Sequence, residues 1–139
     1  MSNKKTSEAG FTLIELMIIV VIIAIISMFA NSMYSKSVQK SRRAEGKALL
    51  LEAAALQERR FADTTPNAYA SDMTNLGYDD NPAISENQFY SVSATTPNPP
   101  TSFTLTAAIN DRQLVDTQCA TMSLNSLGEK TSAPSSDCW

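Results

Sequence analysis

From Phe11 onward the chain reads FTLIELMIIVVIIAIISMFA, twenty residues carrying one charge, Glu15. As a helix this run spans roughly 30 Å, the thickness of a bilayer's hydrocarbon core. Nothing else in the sequence constrains folding as strongly, because such a surface has to lie in lipid or against other apolar helices. An ionised carboxylate a little over one turn into it costs on the order of 2.5–3.5 kcal/mol to insert, even on lenient scales. A plain anchor has no use for that cost, so Glu15 is a candidate functional residue. The bland alternative is a glutamate that reaches the interface from near a helix end.

At 139 residues the chain is long enough for one domain plus this anchor. About a hundred residues follow the apolar run, enough for one modest core. Charge is unevenly placed. Lys36, Lys40, Arg42, Arg43, Lys47, Arg59 and Arg60 crowd the segment after the run, whereas beyond Phe61 nine acidic residues face only Arg112 and Lys130, a local balance of −7. A basic stalk thus carries an acidic head, and direct nucleic-acid binding by that head is not expected. The basic residues read best as a solvated or subunit-facing helix surface.

The chain has no histidine, which removes the commonest general base and a major metal ligand. No GxSxG, P-loop, dinucleotide fingerprint, HExxH or EF-hand spacing is found, so no catalytic residue, metal site or cofactor is assigned. Asp79, Asp80 and Glu86 match no calcium-loop spacing and read as a solvated acidic loop. Cys119 and Cys138 are the two cysteines. In an oxidising compartment they would close a loop worth about 3 kcal/mol in the chain-entropy model; the alternative is two buried free thiols. A membrane anchor followed by a small Ser/Thr/Asn-rich head favours the disulfide.

The first ten residues, MSNKKTSEAG, are short and polar, with Lys4 and Lys5. No small-residue cleavage site follows the apolar run, where ordinary signal processing needs it; Gly10 precedes the run instead. GFTLIE followed by about twenty apolar residues resembles the class III signal of type IV prepilins and their pseudopilin relatives. The resemblance implies that a prepilin peptidase cuts between Gly10 and Phe11 and methylates the new amino terminus of Phe11. It also makes Glu15 the family's assembly glutamate, paired with the freed Phe11 amine of a neighbouring subunit. Such pairing neutralises both charges where attraction is strong and desolvation costly, so it serves register more than stability. RAEGKALLLEAAALQERR and CATMSLNSLGEK…DCW further resemble minor type IVa pilins of the PilE kind.

The implied fold is α+β: a long N-terminal helix, its first half transmembrane, packed on a four-stranded antiparallel sheet with a C-terminal disulfide loop. Residues 1–10 are the expected leader, 11–31 the transmembrane and assembly helix, 32–62 its continuation onto the head, and 63–139 the head. No proline interrupts 31–60, a stretch dense in helix formers. Leu49, Ala53 and Leu56 line one face, with Leu50, Ala54 and Phe61 beside it. Gly46 is a weak point costing about 1 kcal/mol relative to alanine. Ser32 stands where many pilins have a kinking proline, and Ala24 where many have glycine; both favour an unbroken helix.

Residues 63–87 read as a connecting loop with one helical turn at 70–76. The sheet is placed at 88–132, with strands at 89–94, 103–109, 119–124 and 129–132, and the disulfide bounds 119–138. Trp139 is expected to pack beside that bond. Functionally, the resemblance implies a minor structural subunit of a type IV pilus, not an enzyme. Its expected partners are other major and minor pilins, prepilin peptidase and the inner-membrane assembly platform. The Lys/Arg bias alone would keep the head inside. The prepilin signal and the cysteine pair instead put it in the periplasm on a single-pass inner-membrane anchor, and later in a pilus on the cell surface. The roles that follow are pilus assembly or priming, twitching motility, adhesion and DNA uptake. The alternatives are a type II secretion pseudopilin and a pilus-tip binding module.

Overall fold

The computed structural model describes residues 10–139 except the side chains of 29–32; the expected leader falls largely outside the described residues, as does the side chain of Ser32. One helix, α1, runs from Leu13 to Asp63, as the absence of a proline from the run leads one to expect. The chain divides into two compact units, Met1–Val38 and Gln39–Trp139.

From Leu13 to Met28, Glu15 and Ser27 apart, α1 is apolar on all sides. Every described side chain from Leu13 to Met28 is exposed, among them Leu13, Ile14, Leu16, Val20, Ile22 and Ile26. The segment is long and apolar enough to cross a membrane. Its one hydroxyl there is handled locally: Ser27 Oγ donates to the Ile23 carbonyl at 2.7 Å, so no unpaired donor meets the apolar surroundings.

In the second unit the rest of α1 packs on a five-stranded antiparallel sheet whose strands lie in sequence order. They are β1 (Ala83–Ile84), β2 (Tyr90–Thr95), β3 (Thr104–Ile109), β4 (Thr121–Asn125) and β5 (Lys130–Ala133). The sequence implied four strands; β1 is the fifth. It is two residues long and follows Pro82, so it is too short to show alternation. Its register, Ala83 opposite Val92 and Ile84 opposite Ser91, is fixed just beyond its end. There the Ser85 amide donates to the Tyr90 carbonyl at 2.9 Å, and the Tyr90 amide donates to Ser85 Oγ at 3.1 Å.

Period-two burial on β3 turns Leu105 and Ala107 inward and leaves Thr104 exposed. Tyr90 and Val92 of β2 and Met122 of β4 complete the sheet's contribution. From α1 come Leu49, Leu50 and Ala53, with Ala54 and Leu56 packed at the edge of the core. The 3-10 turn Met73–Leu76 closes one end, its Asp72 cap accepting from the Thr74 amide at 2.9 Å. The β4–β5 turn is built by Asn125, whose Oδ1 accepts from the Leu127 and Glu129 amides. It closes through Gly128 at φ 78°, a left-handed conformation in which a side chain is strained.

Gly46 has a packing role that helix propensity does not reveal. A Cβ at this position would lie 2.8 Å from Tyr90 Cγ and 3.1 Å from Met122 Cε. Helix and sheet therefore approach closely where the side chain is missing. Gly46→Ala gains about 1 kcal/mol of helix propensity, yet overpacking a filled core costs about 1–3 kcal/mol. The expected result is no net gain and a net loss of up to about 2 kcal/mol, measured by urea unfolding. A clear stabilisation would contradict the close approach.

Candidate assembly site

The helix begins where the candidate processing residues end. Thr12 starts α1: its carbonyl accepts from the Glu15 and Leu16 amides at 3.1 and 3.2 Å, and its Oγ1 accepts from the Glu15 amide at 3.3 Å. Thr12 and Glu15 thus have the spacing of a helix-capping pair, which a reading centred on the apolar run passes over. Gly10 and Phe11 precede the helix in no regular element, and both are exposed. Glu15 lies in the first turn, where a negative charge is favoured by the helix dipole. Among the described residues it has no ion-pair partner. The dipole's contribution is about 0.3–1 kcal/mol, well short of the insertion cost of the charge.

Cys119 and Cys138 are joined, with their Cα atoms 5.7 Å apart. Both are buried, in the same cluster as Phe103 and Met122. Trp139 lies over β5: its indole Nε1 donates to the Thr131 carbonyl at 2.7 Å, and Lys130 Nζ stands 5.1 Å from the ring centroid.

The most strongly bonded polar cluster ties α1 to the segment between β3 and β4. Arg43 donates from Nε and Nη2 to the two oxygens of Asp116, each at 2.6 Å, a bidentate pair on a buried carboxylate. Gln113, also buried, donates to Asp116 Oδ2 at 3.4 Å and accepts from Arg42 at 3.1 Å. Arg42 also lies 4.5 Å over the Phe89 ring. From the sequence, Arg42 and Arg43 belong to a solvated or subunit-facing basic run, and this network is not visible there. The signal is weak because the partners lie about seventy residues downstream, in a segment without periodicity.

A second clamp joins α1 to the turn after β1. Glu45 accepts from the Asn87 amide at 2.9 Å and from Asn87 Nδ2 at 3.0 Å. A third is Gln57, fully buried, whose amide donates to the Ala70 carbonyl at 2.6 Å and accepts from the Ala70 amide at 2.8 Å.

These contacts set the pH range of the head. The Arg43 hydrogen bonds hold the Asp116 carboxyl below its usual range against the opposing effect of burial. Burial pushes Glu45 up, but hydrogen bonds from Ser85 and Asn87 outweigh it and leave the group lowered. A depressed folded pKa gives stability that is present above the unfolded value and lost as pH falls through the folded one. Tyr78 and Tyr90 are each pushed up to about 12, chiefly by burial, with Glu52 adding for Tyr78 and Asp116 for Tyr90. Their contribution is present below the unfolded tyrosine value of about 10 and lost as pH rises through the folded one. The expected thermal-melting profile is flat near neutrality, falling below about pH 4 and again above about pH 10. A head equally stable at pH 3 and pH 7 would contradict this account.

Residues 5–31 match the family described as the prokaryotic N-terminal methylation motif. The solved structure of a type IV pilin from Shewanella oneidensis aligns at 25% identity with a TM-score of 0.53, covering 73% of this chain and 97% of that one. It agrees with the long helix, the antiparallel sheet and the fold expected from the sequence. Residues 32–123, about two thirds of the chain, match the family described as type IV minor pilin ComP, DNA uptake sequence receptor, and the chain belongs to that family of type IV minor pilins.

Proposed function

We propose that this chain is a minor structural subunit of a type IV pilus, made as a membrane-anchored precursor and drawn into the filament by α1. Prepilin peptidase cuts between Gly10 and Phe11, and Phe11 is N-methylated. The precursor spans the inner membrane once with its head in the periplasm; assembly, guided by the platform and neighbouring pilins, carries it to the cell surface. The observation behind this reading is an all-round apolar helix whose single carboxylate, Glu15, has no cation beside it among the described residues. An exposed Gly10–Phe11 bond just ahead of that helix is open to a protease. Within the filament the subunit supports assembly or priming, and through the pilus twitching motility, adhesion and DNA uptake. Deleting the gene should reduce piliation and motility, and complementation should restore both. Normal piliation in the deletion strain would contradict the assembly role.

The matched family's description favours a second reading, in which the head touches DNA during uptake. The net charge beyond Phe61 opposes it, but Lys130 of β5 and Lys47 of α1 are cations that feel one another's charge. Burial lowers the Lys47 pKa, and the charges of Arg43, Lys40 and Lys130 act in the same direction. If they grip phosphates, Lys47→Ala and Lys130→Ala should each reduce the salt slope of duplex binding by about one. Fluorescence anisotropy on the detergent-solubilised full chain measures this. No binding at moderate salt would restrict the chain to the structural role.

A further inference from the structure

A cavity of about 270 Å³ opens between the last turns of α1 and Asn75–Leu76, with Leu56, Arg59, Arg60 and Asp63 on its helix side. Arg60 is incompletely bonded there. Its Nη1 donates to the Asn75 carbonyl at 3.2 Å, but its Nε is sealed from water and has no partner among the described residues. A cation near a helix C-terminus is ordinary, since the last carbonyls attract it. Here those carbonyls are already taken. That of Arg60 accepts from the Thr64 amide and hydroxyl, each at 3.0 Å, and that of Phe61 from Asn67 Nδ2 at 2.8 Å. A donor withheld from both water and protein is uncommon and calls for an acceptor.

We infer that this cavity takes a single carboxylate, gripped by Arg60. A guanidinium grips a carboxylate through two parallel N–H donors, and Nε is a donor left over. The Asn75 bond that holds the guanidinium is exposed, so its Nε edge can turn toward an incoming acid. Charge matches a monoanion. Arg59 and Arg60 line the cavity with one acid, Asp63, whose Oδ2 lies 3.7 Å from Arg59 Nε, which leaves one positive charge over. A phosphate dianion would exceed that balance. Leu56 and the buried Leu76 supply an apolar wall for the methylenes of an acid's stem. The volume falls just under the roughly 300–1,000 Å³ of drug-sized sites and suits one acidic side chain or a small free acid. Every lining residue belongs to the unit Gln39–Trp139, so the inference is independent of the anchor and of assembly.

The test uses nuclear magnetic resonance on the full chain in maltoside detergent at physiological salt, with isotope-labelled arginine. Arg59→Lys and Arg60→Lys assign the two Nε–H resonances, and circular dichroism and melting check that each variant is folded. The probe is N-acetylglutamate α-amide, which carries one carboxylate; N-acetylglutamine amide is its neutral counterpart. The expected result is a saturable downfield shift of the Arg60 resonance with the acid and none with the amide. Arg60→Lys keeps the charge and loses the Nε–H, so affinity read at Arg59 should fall about tenfold or more. A short alanine peptide with one glutamate separates the two sources. Tighter binding than the free probe points to an acidic side chain of another protein, equal binding to a small free acid, and both support a carboxylate site. No shift at Arg60 overturns the inference, as does an equal shift with the neutral amide or unchanged affinity in Arg60→Lys. A larger response to inorganic phosphate than to the acid overturns the charge match and the carboxylate assignment with it.

Discussion

Arg43→Met is expected to cost the head about 3–5 kcal/mol, because it leaves the Asp116 carboxylate buried without its cation. The pair is bidentate at 2.6 Å, and the Asp116 side chain is 1% exposed. An exposed pair would be worth about 0–1 kcal/mol, so the size of the effect distinguishes a buried clamp from a surface contact. For a head of about a hundred residues, a loss of this size lowers the melting temperature by roughly 15 °C or more. The double variant Arg43→Met, Asp116→Leu should recover most of the loss, since apolar replacement of a buried pair is often neutral or better. Urea and thermal unfolding of both variants in detergent settle the point. A single-variant loss below about 1 kcal/mol would show that the pair is solvated in solution.

Glu15→Gln is expected to leave synthesis and membrane insertion intact and to reduce the subunit in sheared filaments by at least about tenfold. Glutamine is neutral, so insertion becomes easier. Loss of the helix-dipole contribution, about 0.3–1 kcal/mol, cannot account for a filament defect of that size. If Glu15 meets the Phe11 amine of a neighbouring subunit as the resemblance implies, loss of that mate can, because an ion left alone in an apolar place is destabilising by several kcal/mol. Quantitative immunoblots of membrane and filament fractions give the comparison. Unchanged filament content would reduce Glu15 to a helix-start residue beside Thr12.

What could be read in the sequence depended on how local the cause was. The unbroken α1 follows from the absence of proline and a run of good helix formers, and β3 from strict alternation at 103–109. The Cys119–Cys138 bond was legible because a membrane anchor followed by a small polar head favours a disulfide over two free thiols. β1 was not, because two residues carry no period and its register is imposed by Ser85 and Tyr90. Gln57 carries no signal in the helical periodicity, and it is fully buried because the Ala70 backbone needs both a donor and an acceptor. Gly46 read as a helix defect and is a point of contact with Tyr90. At the candidate processing site, motif and spacing were plain in the sequence. In the basic stalk, Lys36, Lys40 and Arg59 are exposed as expected of a solvated or subunit-facing surface, whereas Arg42 and Arg43 turn to Gln113 and Asp116.

The most direct test is the intact mass of the chain recovered from sheared filaments. A minor pilin processed as proposed has the mass of residues 11–139 plus one CH2 for the methylated amine, less two hydrogens for the disulfide. Recovery with residues 1–10 still attached, or complete absence from filaments of cells that make the protein, would contradict it.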